Sequence, residues 1–132
     1  MLCTETAPIA GLVGGNDADL GQFPWMAVVH RLTGGGRYSV CGGTIISVRW
    51  VLTAGHCVAK SPRRFFVVLG ETDKSNIRYD YYNGPGIAMM TTKGALHPQY
   101  GNLMNDIGLL WMPRDITFNG NIYLFGLHQY FQ

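Results

Sequence analysis

The sequence has little charge of either sign and no long hydrophobic run. Asp, Glu, Lys and Arg make up 14% of its 132 residues, and the formal net charge is only +2. A balance so close to neutrality does not favour nucleic acid or an anionic membrane surface as a partner. No stretch of about 18 consecutive apolar residues exists, so no transmembrane helix is expected. The nearest approach to a basic patch is Lys60–Arg64, which we interpret as a solvated loop.

Cysteine is also scarce, since the chain has three. Cys41 and Cys57 bracket a predicted hairpin, and a disulfide between them would close a loop of about 15 residues, worth about 3 kcal/mol in the chain-entropy model. Cys3 would then be the odd cysteine, which suggests a partner outside the chain. A disulfide requires an oxidising compartment, so the cysteines favour a secreted protein, although the first residues lack the basic start and apolar core of a signal peptide.

Glycine, by contrast, is abundant, and it indicates many tight turns. The chain has 18 glycines, against about nine expected from average usage. No segment has a long 3.6-residue period, whereas short β-prone runs recur at roughly 10-residue spacing. We predict strands at 25–32, 38–47, 50–53, 65–70, 78–82, 87–92 and in the apolar part of 105–112. The sequence therefore predicts an all-β sandwich or barrel.

Two residues in this pattern are candidates for chemistry. Trp50–Thr53 leads into a turn of small residues that presents His56 beside Cys57. A histidine held in this way is suited to general base catalysis, although an ordinary half-buried histidine is the simpler interpretation. Asp106 lies at the start of an apolar strand, where it could orient the imidazole of His56. The alternative for Asp106 is a turn or capping aspartate.

Five blocks of sequence occur in a fixed order and spacing: Leu12–Gly15; Ala18, Gly21 and Phe23–Trp25; Cys41–Ile46; Leu52–Cys57; and His97–Tyr100 with Asn105–Leu110. Together they resemble the chymotrypsin-like (trypsin-fold) serine endopeptidases. The resemblance implies a six-stranded antiparallel Greek-key barrel, the first of the two barrels of that fold, with the second barrel absent. The implied domains are a leader-like segment at 1–11, the barrel at 12–118 and a divergent tail at 119–132.

The resemblance also assigns roles to particular residues. His56 would be the general base and then the general acid, Asp106 its orienting carboxylate, and Cys41–Cys57 a disulfide that braces the histidine turn. Leu12 would be the mature N-terminus, although Gly11 precedes it where a tryptically activated zymogen carries Arg or Lys. The family implies an extracellular protein that acts on proteins or peptides without a cofactor.

The sequence departs from the family at the nucleophile. The motif Gly-Asp-Ser-Gly-Gly, which carries the family's reactive serine, does not occur, and the four serines stand in other contexts: Ser39, Ser47, Ser61 and Ser75. We therefore expect a truncated family member that is inactive alone and whose longer form carries the second barrel. The alternative is a non-catalytic homologue that binds another protein with its exposed cleft face.

No metal site is expected from the sequence. Glu71 and Asp73 follow a predicted strand where some family members bind calcium, but Arg78 falls where a further acidic ligand would be useful. We interpret this loop as solvated. The histidines outside the predicted active site show no metal-ligand spacing with each other or with Cys57: His30, His97 and His128.

Overall fold

The computed structural model describes residues 19–102 and 104–126. The regular secondary structure of this part of the chain is almost entirely β-strand, as the sequence predicts. Its strands are β1 (Met26–Gly34), β2 (Arg37–Ile45), β3 (Trp50–Thr53), β4 (Phe65–Leu69), β5 (Ile87–Thr91), β6 (Gly94–Leu96) and β7 (Gly108–Trp111). A one-turn helix α1 (Gly55–Val58) follows β3, and a 3₁₀ turn spans Lys74–Asn76. Neither helix has the length needed to cross a bilayer, and no other helix occurs in the described residues.

The seven strands form one antiparallel sheet in the order β5-β4-β1-β2-β3-β7-β6. Its two edge strands, β5 and β6, are separated by only Thr92 and Lys93 in the chain. At this junction the Thr91 hydroxyl donates to the carbonyl oxygen of Trp111 on β7, at 2.6 Å. The sheet is therefore curled until its edges approach each other. The family resemblance implies six strands, whereas the described sheet has seven, because residues 87–96 form two short strands.

One strand prediction is wrong and one strand was missed. Residues 78–82 form a turn in which the Arg78 amide donates to the Tyr81 carbonyl, flanked by a single bridge between Ile77 and Tyr82. The alternating pattern there serves loop packing, because Tyr79 contacts the aromatic ring of Tyr38. The missed strand, β6, is three residues long and too short to produce a pattern.

The core lies on the inner face of the curled sheet. All five residues of β4 are buried, which explains why its sequence is continuously apolar instead of alternating. On β1, Ala27 and Val29 face the main core, while Val28 and Leu32 join a smaller cluster on the outer face. Ile122, from the segment 119–126, is 1% exposed and belongs to the main core, so this segment packs against the sheet.

His30 is a buried polar residue on the outer face of β1, with 2% exposure. Its ring stacks on Tyr38 with 4.1 Å between centroids, and its Nδ1 lies 3.4 Å from the Tyr79 carbonyl oxygen. Burial lowers the pKa of His30 below its ordinary value of 6.5, because desolvation outweighs the hydrogen bonds that the ring donates to backbone carbonyls. The imidazole therefore stabilises the fold as a neutral ring that joins β1, β2 and the 78–82 turn.

This burial predicts a loss of stability in mild acid. As the pH falls below 6.5, the unfolded chain binds a proton at His30 that the folded chain resists, so the free energy of unfolding decreases. Denaturant unfolding between about pH 7.5 and pH 5 measures the slope. His30→Gln should flatten it, whereas His97→Asn, which keeps an acceptor for the Gln99 amide, should not. An unchanged slope in His30→Gln would contradict the assignment.

Candidate active site around His56 and Asp106

The backbone at His56 is fixed by the strand before it and by a disulfide after it. β3 pairs with β2 on one side and β7 on the other, and the Thr53 hydroxyl donates to the Gly42 carbonyl at 2.7 Å. The helix α1 then makes a single turn, closed by the Ala59 amide on the Gly55 carbonyl. Cys57 is buried and bonded to Cys41 of β2, with an S–S distance of 2.08 Å.

Asp106 is positioned by the residues just before β7. Asn105 adopts a φ of 56°, a left-handed conformation that asparagine tolerates better than most residues. Its side-chain amide donates to the Gln99 carbonyl at 2.9 Å, and its own carbonyl accepts from the Ile107 amide at 2.8 Å. The amide of His97 in turn donates to the Ile107 carbonyl at 3.1 Å. This compact loop turns the Asp106 carboxylate towards α1.

The carboxylate of Asp106 accepts two hydrogen bonds from His56. The backbone amide of His56 donates to Oδ1 at 2.7 Å, and the ring Nδ1 lies 2.8 Å from Oδ2. An ionised carboxylate only accepts, so Nδ1 carries a proton and, in the neutral ring, Nε2 is the free acceptor. The His56 side chain is 50% exposed, and within the described residues nothing bonds to its Nε2. The arrangement presents a basic nitrogen to solvent.

The hydrogen bonds keep Asp106 ionised. Partial burial acts to raise the pKa of the Asp106 carboxyl, but the hydrogen bonds from the His56 ring and amide and from the Gly55 backbone together outweigh it. The result is a pKa below the ordinary value of 3.8. An orienting carboxylate that stays charged throughout the neutral range can stabilise an imidazolium as it forms.

Gly55 allows Asp106 and its neighbours to approach α1 closely. A Cβ at this position would lie 2.9 Å from Cδ1 of Tyr100, 3.0 Å from the Ile107 amide nitrogen and 3.1 Å from Oδ1 of Asp106. The sequence suggests only that glycine in place of the family's usual alanine loosens the turn. In the structure, the Tyr100 ring and the backbone before β7 fill the space next to Gly55 that a methyl group would need.

The other sequence candidates lie apart from this pair. Ser47 Oγ accepts from the amides of Arg49 and Trp50, Ser75 Oγ donates to Asp73, and the Ser61 carbonyl accepts from Arg31. Among the described residues, no serine hydroxyl bonds to His56. Leu12, Cys3 and His128 lie outside the described residues.

The loop after β4 is exposed to solvent at residues 72–76, as expected, and Glu71 holds it in shape. Glu71 accepts hydrogen bonds from the amides of Thr72 and Asp73, from the Asn76 side chain and from the Tyr82 hydroxyl, the last at 2.7 Å. Desolvation and this bond to Glu71 raise the pKa of Tyr82 to about 12. Glu71 therefore organises its own loop. In the described residues, no group of three or more His, Cys, Asp or Glu is arranged so that it could hold a metal ion.

Sequence reasoning proposes His56, Asp106 and the Cys41–Cys57 disulfide, but it misses the contributions of Asn105 and Tyr100. Asn105 acts through a positive φ, and Tyr100 acts through a contact that only folding creates. The one available signal for Asn105 is its residue type, since asparagine is enriched in left-handed positions.

A sequence model of the trypsin family matches residues 12–132. The chain is 37% identical over 125 residues to phenoloxidase-activating factor 3 of Holotrichia diomphalia, covering 82% of this chain and 34% of the relative. It is 36% identical over 120 residues to chymotrypsin-like elastase family member 1 of Macaca fascicularis, covering 87% of this chain and 42% of the relative. Among solved structures, HL collagenase superposes with a TM-score of 0.67 at 27% identity, covering 83% of this chain and 44% of that one.

The chain therefore belongs to the trypsin family of chymotrypsin-like serine proteases. It spans about a third to a half of the length of the curated relatives it matches.

The two bonds to Asp106 predict its contribution to stability. Asp106→Asn should lower the free energy of unfolding by about 1–3 kcal/mol, because the amide cannot accept both bonds from His56 without turning its NH₂ towards a donor. Asp115→Asn is the control, since Asp115 is 72% exposed and pairs with Arg49 on the surface; its loss should cost less than about 1 kcal/mol. Denaturant unfolding at neutral pH measures both values, and equal effects would contradict the prediction.

The depressed pKa of Asp106 adds a pH dependence to this stability. The folded chain keeps the carboxylate ionised below its ordinary pKa of 3.8, so the contribution is fully present above that value. It is lost as the pH falls from there through the folded pKa. NMR titration of the Asp106 carboxyl carbon checks the direction of the shift. A midpoint at or above 3.8 would contradict it.

Proposed function

We propose that this chain supplies the base and its orienting carboxylate for a serine endopeptidase. His56 removes the proton from a serine hydroxyl and later returns it to the leaving amine, while Asp106 holds the Nδ1–H tautomer and stabilises the imidazolium. The observation that carries the proposal is the pair of hydrogen bonds from His56 to one carboxylate, at 2.7 and 2.8 Å, with Nε2 left free.

The nucleophile has to come from outside the 132 residues. The chain contains no Gly-Asp-Ser-Gly-Gly motif, and its described serines are engaged elsewhere or lie apart from His56. We propose that the described sheet is the first of two barrels, that 12–118 forms its domain, and that Leu12 begins the mature protein. On this proposal the 132 residues alone do not hydrolyse peptides, and substrates are proteins or peptides bound by the longer, secreted form.

A binding function is the second candidate, and exposed apolar residues favour it. Phe23 is 46% exposed, Ile46 38% and Tyr123 44%. Backbone hydrogen bonds join the segments that carry them, from the Tyr123 amide to Pro24 and from the Ile45 amide to Trp25. The segments therefore form one apolar surface, where a second barrel or another protein could pack.

The endopeptidase proposal predicts a division of activity between two forms of the protein. The purified 132-residue chain should not be labelled by a fluorophosphonate probe, which phosphonylates reactive serines with loss of fluoride, because it holds no activated nucleophile. Sequencing the transcript past codon 132 should identify a longer form with the serine motif, and that form should be labelled. Labelling of the short chain would contradict the proposal. A transcript that encodes no serine motif would also contradict it, and would favour the binding function.

Variants of the longer form test the roles of the individual residues. His56→Ala should lower kcat by about 10⁴-fold or more, and Asp106→Asn by about 10⁴-fold, as for members of such triads. His97→Asn is the matched histidine control and should retain most of the activity, because it preserves the acceptor for the Gln99 amide. A peptide-cleavage assay with purified variants gives these values. Comparable losses in His56→Ala and His97→Asn would contradict the role of His56.

A further inference from the structure

Five of the chain's ten lysines and arginines lie at one end of the sheet. Arg31 on β1 stands opposite Phe65 of β4 and Ser39 of β2, Arg37 opens β2, and the segment 60–64 runs directly into β4. The sequence separates these residues into three places, and only the pairing of three adjacent strands unites them. We call this surface the basic end, defined by Arg31, Arg37, Lys60, Arg63 and Arg64.

The backbone of the basic end is fastened by hydrogen bonds. The Arg31 guanidinium donates from Nη2 to the Ser61 carbonyl at 3.1 Å, and the Leu32 amide donates to the Arg64 carbonyl at 2.8 Å. Both bonds hold the 60–64 segment against β1. The Thr33 hydroxyl donates to the Arg37 carbonyl at 3.1 Å and closes the adjacent hairpin. The backbone positions that carry the five cations are therefore set by the fold.

No ion pair neutralises these cations within the part of the chain that the structure describes. The ion pairs among residues 19–102 and 104–126 join Arg49 to Asp115 and His56 to Asp106, and neither includes the basic end. The four other cations of the basic end are exposed, and their side chains make no hydrogen bond in the described structure. The 78–82 turn, which packs on β1 and β2 through Tyr79, contributes Asp80, but it also contributes Arg78.

The composition of the surface indicates what it binds. Apart from the cations, the exposed residues of 33–37 and 60–64 are glycine, threonine, serine and proline. Protein interfaces centre on apolar or aromatic residues, which 33–37 and 60–64 lack, whereas a polyanion is attracted by a concentration of positive charge. The three turn glycines carry no side chains that would shield Arg37: Gly34, Gly35 and Gly36.

The Cys41–Cys57 disulfide restricts the choice of polyanion. Disulfides persist in oxidising, mostly extracellular compartments, where sulfated polysaccharides rather than nucleic acids are the abundant polyanions. We propose that the basic end binds a linear sulfated polysaccharide. Binding pairs the guanidinium and ammonium groups with sulfate oxygens and does not involve His56.

A heparin octasaccharide tests the proposal on the 132-residue chain. Titration calorimetry should give binding that weakens steeply with added NaCl, since bound counterions are released on association. The double substitution R63E/R64E should raise the Kd by about tenfold or more. The matched control K74E/R114E makes the same charge change at two exposed cations, one beyond the opposite end of β4 and one after β7, and should raise the Kd by less than about threefold.

Further arms separate this proposal from its alternatives. If R63E/R64E does not fold by circular dichroism, R37E/K60E replaces it with the same expectation. H56A should bind the octasaccharide like the unsubstituted chain, so failure of the endopeptidase proposal leaves this result unaffected. The proposal is overturned by absence of binding at low salt, by equal loss in the two double variants, or by a poly-glutamate peptide or duplex DNA that competes as well as the octasaccharide.

Discussion

The backbone pairing of β3 with both β2 and β7 is the constraint on which the site depends. Thr53 stands opposite Gly43 of β2 and Gly108 of β7. His56 follows Thr53 by three residues and Asp106 precedes Gly108 by two, so antiparallel pairing delivers both to the same end of the sheet. A shift of register by one residue would turn alternate side chains to the opposite face and separate the pair. Strand register therefore determines that the backbones of His56 and Asp106 lie close together, whatever contacts their side chains make.

Glycine makes this close approach possible at Gly108. A Cβ there would lie 2.7 Å from Cγ2 of Val58 and 3.3 Å from the Ala54 carbonyl oxygen. Val58 is fully buried at the end of α1, so a side chain at position 108 would push the helix away from β7. The disulfide to Cys41 holds the opposite side of α1. His56 is thus carried on one helical turn that is held from both sides, which leaves the ring little freedom except about its own χ angles.

Much of this fold and part of the site could be predicted from the sequence, and the limits have physical reasons. β3 was predicted with the bounds that the structure has, because a short apolar run ends at a turn of small residues. The pattern of 78–82 wrongly predicts a strand, because aromatic residues that pack across a loop can alternate with polar residues as they do in a strand. The loop at Glu71 is solvated as expected, but the sequence does not show that Glu71 organises it, since a carboxylate that accepts four hydrogen bonds looks the same in sequence as a hydrated one. The segment Lys60–Arg64 stands out in the sequence, but Arg31 and Arg37 join it only through strand pairing.

The completeness of the His56–Asp106 pair has a consequence for how the family's chemistry is assembled. Every hydrogen bond that orients the pair comes from residues of this one sheet and its loops. The tautomer of His56 and the ionisation of Asp106 are therefore established without a nucleophile, and a serine has only to reach the free Nε2. Preorganisation of this kind lowers the reorganisation needed when charge develops on the imidazole. The same pair at a surface without a serine is only a solvent-exposed histidine held by a carboxylate. On the endopeptidase proposal, catalysis therefore depends on a serine that is brought to Nε2.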